Sequence, residues 1–248
     1  MNPNDPSRSP AATSRTTASR GLQPNLAQAL EPFGFALRGG FKPLLTEAIP
    51  PLPDGTEAVT VLMVGNSGPA MWQAFSESQE ATDGQPHPLN RWTRRTVDAI
   101  ATSVGALALY PFDAQPAWPF QRWAARCEPV HASPLGLLIH PQYGLWHAYR
   151  AAIVLGADLA LPPVPTGASP CQSCFDQPCL RTCPVAAFSA SGYQVETCAS
   201  FLEKPEGADC LQRGCLARRA CPVGVNFQPS PAQNGFHMQA FLRAAQSK

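Results

Sequence analysis

The stretch that decides the C-terminal fold, residues 171–184, reads CQSCFDQPCLRTCP. Cys198 follows it, and residues 210–222 then read CLQRGCLARRACP. The two halves have the spacings C-x2-C-x4-C-x3-C-P and C-x11-C-x4-C-x5-C-P, so each carries four cysteines and ends in Cys-Pro. Eight of the nine cysteines of this 248-residue chain lie here. Paired half-motifs of this kind are typical of proteins that bind two iron–sulfur clusters.

The cysteine before proline in each half is expected to bind the cluster of the other half. Closely spaced cysteines on one loop supply three ligands, and in two-cluster ferredoxins the cysteine of the Cys-Pro pair ligates the second cluster. Pro184 and Pro222 end the two motifs and donate no backbone N–H. The sequence therefore predicts a ferredoxin-like module with two [4Fe–4S] clusters, bound by Cys171, Cys174, Cys179 and Cys221, and by Cys183, Cys198, Cys210 and Cys215.

Three other interpretations of these cysteines remain open, namely a single cluster, a pair of zinc sites, or thiols and disulfides. Structural zinc sites favour C-x2-C pairs, and of the eight cysteines only Cys171 and Cys174 have that spacing. The paired Cys-Pro endings favour iron. Cys127 lies outside the set and is expected to be a buried apolar side chain.

Composition limits the possible partners and location of the protein. The net charge is +1 and charged residues make up 14% of the chain, so no nucleic-acid-binding surface is expected. No apolar run approaches the roughly 18 residues of a membrane span. Residues 1–22 contain no apolar segment typical of a secretion signal, and they read as a disordered tail or, as an alternative, a weak transit peptide. We therefore expect a cytoplasmic protein.

The remaining sequence predicts an α+β sandwich with irregular connections. Residues 58–64, 106–110, 135–139 and 147–155 read as strands, and 25–30, 88–105, 118–127 and 236–245 read as helices. No regular βαβ repeat is present, which argues against a doubly wound sheet. The expected organisation is a disordered tail over 1–22, a sandwich domain over 23–165, the cysteine module over 166–226, and a C-terminal tail with a short helix over 227–248.

A second motif, G-x-x-I-H-P-x-Y-G-x-W-x-x-x-R, spans residues 136–150. Its glycines permit close approach of the backbone to a ligand, and its aromatic residues could cover a flat apolar ring or simply fill the core. The arginine lies in an apolar strand and must meet a polar partner. His140 is expected to play a structural, hydrogen-bonding role.

This motif resembles two families that share a flavin-nitroreductase-like, cobalamin-binding fold. Residues 30–165 resemble CblC proteins, which remove the upper axial ligand of cobalamins. Residues 116–225 resemble epoxyqueuosine reductase, a cobalamin enzyme with two [4Fe–4S] clusters. The resemblance implies a corrinoid pocket formed by Gly136, Leu137, Tyr143, Gly144, Trp146 and Arg150.

The chain departs from both families at places that affect the chemistry. Epoxyqueuosine reductase has an Asp-Tyr-His segment with a proposed proton donor, but the comparable residues 87–90 here contain no aspartate. Animal CblC proteins lack the clusters and use flavin or glutathione; Arg150 matches an arginine associated there with glutathione. The missing aspartate argues against epoxyqueuosine as the substrate.

The combined prediction is an oxidoreductase that passes electrons from its clusters to a bound corrinoid, with a ferredoxin or flavodoxin as electron donor. The outcome would be reductive removal of the upper ligand or a cobalamin-dependent reduction. Two alternatives come from other functional classes. The chain could be a ferredoxin-type electron carrier, or a cobalamin chaperone without catalytic activity.

Overall fold

The structure is a computed structural model that describes residues 11–189 and 192–247. The first domain begins with four helices and three strands: α1 (Ala11–Leu30), β1 (Ala36–Phe41), β2 (Thr60–Ser67), α2 (Ala70–Ser76), α3 (Gln79–Thr82), α4 (Pro88–Ser103) and β3 (Leu107–Leu109). It continues with α5 (Phe120–Ala125), β4 (His131–Ala132), β5 (Leu138–Ile139) and β6 (His147–Leu155). None of the described helices is long and apolar enough to cross a bilayer.

A four-stranded antiparallel sheet with the order β1-β2-β6-β3 forms the centre of this domain. Successive residues of β2 point to opposite faces, so Leu62 and Val64 pack under α1, α2 and α4, whereas Val61 and Met63 pack against α5. Helices therefore cover both faces, and the core strands are buried throughout. The predicted mixture of α and β elements is confirmed, and the structure adds that the sheet is antiparallel.

The cysteine-rich segment folds into short elements around a small hydrophobic cluster. Its regular elements are α6 (Pro178–Arg181), β7 (Phe188–Ser189), β8 (Gly192–Tyr193), α7 (Val195–Leu202), α8 (Ala208–Arg213) and α9 (Leu216–Arg219). Leu135, Ile139 and Leu145 of the first domain pack in the same cluster as Ala217 and Cys221. The segment is thus packed directly on the 136–150 motif.

Two terminal predictions need correction. Residues 11–22 belong to α1 rather than to a disordered tail, because Leu22, Leu26 and Leu30 recur every fourth residue and pack on the core. Residues 1–10 lie outside the described residues. At the other end, α10 (Pro231–Gln246) begins five residues before the predicted helix, with Ser230 as its N-cap and proline in its first turn.

Helix α10 is a packed element and not a loose tail. The ring of Phe236 lies 5.2 Å from that of Trp72 and 5.5 Å from that of Phe75, between ring centroids. Asn234 is buried against Gly214 of the cysteine-rich segment. The helix therefore joins that segment to the first domain from the side of α2.

Candidate functional site

Four of the eight cysteines form a first group beside the 136–150 motif. Burial raises the pKa of Cys179, and the neighbouring thiols of Cys221, Cys171 and Cys174 raise it further. The pKa of Cys221 is raised in the same way by burial and then by Cys171 and Cys174. Thiols that perturb one another lie close together. Residues 171–179 and residue 221 thus converge in space, as the cross-over of the Cys-Pro cysteines requires.

The other four cysteines form a second group around one small cavity. Cys183, Cys198, Cys210 and Cys215 all line it, together with apolar side chains that include Phe188. Burial raises the pKa of Cys198, and Cys183 and Cys210 contribute to the same shift. The structure therefore brings together the four residues that the spacing assigns to the second cluster. Ligation of iron by either group remains a prediction.

Backbone amides are directed at several of these sulfur atoms. The N–H of Ala187 donates to Cys183 Sγ at 3.3 Å. Backbone N–H groups also lower the pKa of Cys210, Cys215 and Cys221 against the larger effect of burial. Such donors stabilise a thiolate, and hydrogen bonds to sulfur are a known determinant of cluster reduction potential. The donor set fits an iron–sulfur cluster better than a pair of disulfides.

Among the described residues, no group of three or more His, Cys, Asp or Glu side chains is placed to bind a single metal ion. In a [4Fe–4S] cluster each thiolate binds a different iron, so its ligands surround a larger object than one ion.

The 136–150 motif forms a tight turn whose backbone touches the cysteine-rich segment. His140 and Gly144 exchange backbone hydrogen bonds of 2.9 and 2.8 Å. Gly144 has a φ of +58°, and a Cβ there would lie 1.9 Å from the carbonyl oxygen of Val223. Reciprocally, a Cβ on Gly224 would lie 2.3 Å from the carbonyl carbon of Tyr143. The two glycines thus permit direct backbone contact between the motif and the residues that follow Cys221.

The aromatic residues of the motif also pack inside the protein. Tyr143 stacks on His140 at 4.5 Å and meets Phe227 edge-on at 4.9 Å, between ring centroids. His140 is buried, and its Nδ1 accepts hydrogen bonds from two backbone amides, in keeping with the structural role predicted for it. Trp146 is buried with its ring 4.5 Å from the guanidinium carbon of Arg218.

The predicted pocket residues are not all brought together. Leu137 is 40% exposed and lines a cavity, whereas Gly136 lies in a turn with open space beside it. Arg150 lies apart and donates to Asn90 Oδ1 at 3.0 Å and to Thr93 Oγ1 at 3.2 Å. Burial lowers the pKa of Arg150 to about 10, and its partners are polar, as the sequence requires.

The cavity beside the motif has a volume of about 220 Å³. It is formed by both halves of the chain, and its lining residues are Pro111, Phe120, Gln121, Leu137, Leu138, Leu145, His147, Tyr149 and Arg218. Ligand pockets commonly measure about 300–1,000 Å³. A corrinoid would therefore occupy this cavity only in part, and the rest of the ring would lie outside it.

A buried charged network that sequence reasoning missed lies beside this cavity. Arg38 donates twice to Glu128, at 2.6 Å each, and the Tyr149 hydroxyl donates to the same carboxylate at 2.5 Å. Burial would raise the pKa of Glu128, but these bonds hold it below the usual value. His147 faces Arg38, and burial followed by that positive charge lowers its pKa to about 4. In the sequence, the only signal for this network is that His147 and Tyr149 occupy alternate positions of the predicted strand, which places their side chains on the same face.

Structural comparison identifies relatives of the fold. The B12-trafficking protein CblC of C. elegans superposes with a TM-score of 0.51 at 14% sequence identity, covering 93% of this chain and 97% of that chain. The two chains share a fold. Two epoxyqueuosine reductase structures, one with a tRNA stem loop and one from Bacillus subtilis, have TM-scores of 0.49 and 0.48 at 15% identity. Each covers 87% of this chain and 71% of its own.

Both families that the sequence resembles are therefore among the structural neighbours. No protein-family model matches the sequence, and no curated protein matches it either. Identity at this level shows the fold and carries no function with it.

Proposed function

We propose that this chain is an iron–sulfur protein that passes electrons to a corrinoid bound beside the 136–150 motif. One observation carries the proposal, which is the contact between the first cysteine group and that motif. Leu135, Ile139 and Leu145 pack in one cluster with Cys171, Cys179 and Cys221. An electron source held by those thiols would lie against the wall of the cavity.

Cys183 and Cys215 of the second group pack in the same cluster, so we take the first group as the proximal one on a different contact: Val223, two residues after Cys221, meets Gly144 of the motif. The second group lies in the part of the segment covered by α7, α8 and α10, as its neighbours Phe201, Leu202 and Met238 indicate. Electrons would enter at one group and leave from the other toward the cavity. The clusters would supply electrons one at a time, and the corrinoid would supply an axial bond that weakens on reduction.

The chain's own residues would position the ligand and exclude water from it. Leu137 and Leu138 offer apolar surface to the ring, while Tyr149 and His147 present polar atoms at the same wall. The Arg38–Glu128 pair fixes the hydroxyl of Tyr149, because that hydroxyl donates to the carboxylate of Glu128. The proposed reaction is reductive removal of the upper ligand, or a reduction that depends on cobalamin.

The setting that suits this function is a reducing cytoplasm, where eight thiols stay available for iron. The electron donor would be a small ferredoxin or flavodoxin. Two other functions remain as outcomes of the test. A plain electron carrier would bind no corrinoid, and a chaperone would bind corrinoid without reducing it.

Anaerobic reconstitution tests the cofactor part of the proposal. We expect about eight irons per chain, four for each cluster. Addition of cobalamin should then shift the corrinoid absorption spectrum at a one-to-one ratio. A count of about four irons or fewer would refute the two-cluster assignment, and an unchanged corrinoid spectrum would favour the electron carrier.

A further inference from the structure

Arg218 lies between the two cysteine groups in the sequence, and its side chain lines the cavity. It follows Cys215 of the second group by three residues and precedes Cys221 of the first group by three. Its backbone N–H is directed at the sulfur of Cys215, and its carbonyl oxygen accepts from the N–H of Cys221 at 3.2 Å. From this position its side chain reaches the cavity wall.

Several contacts fix the guanidinium in place. Its Nη2 donates to the carbonyl oxygen of Leu145 at 2.5 Å, and the group lies over the indole of Trp146. Its Nε is buried without a hydrogen-bond acceptor among the described residues. A guanidinium stays protonated in proteins at neutral pH, so the side chain carries a positive charge.

No carboxylate among the described residues forms an ion pair with Arg218. The neighbouring Arg219 differs, because Asp209 neutralises it. Arg218 is also the only permanently charged side chain among those that line the cavity. A fixed positive charge without a carboxylate partner therefore lines the cavity, and it interacts electrostatically with Cys215 of the second group.

We propose that Arg218 is a positioning residue for electron transfer, whose charge favours the reduced state of the groups bound at the cysteines and in the cavity. This inference rests on the proposed function. When one electron enters a cluster no bond forms or breaks, but the site gains one negative charge. A nearby cation stabilises that charge, and local charge is one of the determinants of cluster potential. Loss of Arg218 should make at least one cluster harder to reduce.

The test is a redox titration of the reconstituted full-length protein, followed by electron paramagnetic resonance. Arg218→Gln removes the charge, Arg218→Met also keeps the apolar stem over Trp146, and Arg218→Lys keeps the charge. Arg181→Gln is the matched control, since Arg181 is 69% exposed and faces the still more exposed Asp176. Solvent screens a charge of that kind.

We expect the Gln and Met variants to lower the equilibrium constant for reduction of at least one cluster about tenfold or more, which corresponds to about 59 mV for one electron. Arg218→Lys and Arg181→Gln should stay within about threefold of the wild type. The inference is overturned if all variants lie within that range, if Arg181→Gln shifts the potential equally, or if the Arg218 variants assemble no cluster. A wild-type protein without clusters would instead contradict the proposed function itself.

Discussion

Substitution of Gly144 by alanine should separate the motif from the cysteine-rich segment. Two costs add at this position. The left-handed backbone, with a φ of +58°, costs an L-residue about 1–2 kcal/mol. The new Cβ would also lie 1.9 Å from the carbonyl oxygen of Val223, and overpacking of this kind costs about 1–3 kcal/mol. The expected loss of stability is therefore about 2–5 kcal/mol.

Gly136 provides a matched control within the same motif. Its φ is +72°, but nothing lies within 4 Å of an added Cβ. Gly136→Ala should therefore lose only the backbone term, about 1–2 kcal/mol. For a domain of this size about 1 kcal/mol shifts the melting temperature by about 2–4 °C, so anaerobic thermal unfolding resolves the two variants. Equal losses for Gly144→Ala and Gly136→Ala would refute the contact with Val223.

Three further predictions follow from other contacts. Cys183→Ser should remove iron from the cluster otherwise built by the second half, whereas the control Cys127→Ala, at a cysteine outside both groups, should keep the full iron content; iron analysis of both variants decides this. Protonation of His147 should lower the free energy of unfolding by up to about 3 kcal/mol as the pH falls from about 6.5 to about 4, because the pKa of this side chain in the folded protein lies below its unfolded value. In denaturant titrations over this pH range, His147→Gln should lose less stability than the wild type. Phe236→Ala should release α10 from Trp72 and Phe75 at a cost of about 2–4 kcal/mol, and hydrogen exchange of 231–246 should rise, whereas the exposed control Gln239→Ala should leave it unchanged.

The sheet and the main helix could be predicted because their signals are local. The predicted strand over 147–155 matches β6 residue for residue, since nine residues of β-type sequence begin at His147, within the motif. Helix α4 has its apolar residues on one face, and it spans Pro88–Ser103 where 88–105 was predicted. Strand β1 was missed because its sequence, ALRGGF, contains two glycines that conceal the pattern, and a register irregularity interrupts its pairing.

The grouping of the cysteines could be predicted from the sequence for a different reason. Spacing along the chain restricts which thiols can converge, and the observed proximities match the assignment made from the Cys-Pro pairs. Other contacts between distant segments have no spacing pattern in the sequence that would predict them. Arg38 meets Glu128 across 90 residues, and Gly144 meets Val223 across the boundary between the two domains. The sequence marks Gly144 as important, but only the structure shows that its close neighbour is the chain's own backbone.

Rapid anaerobic mixing of the reduced, reconstituted protein with cobalamin tests the central claim most directly. The account predicts that cluster absorbance is lost at the same rate at which the corrinoid spectrum changes, with a fixed ratio of electrons to cobalamin. Cys221→Ser, which removes the proximal ligand beside the motif, should abolish this coupling. A corrinoid that binds while the clusters stay reduced would contradict the account.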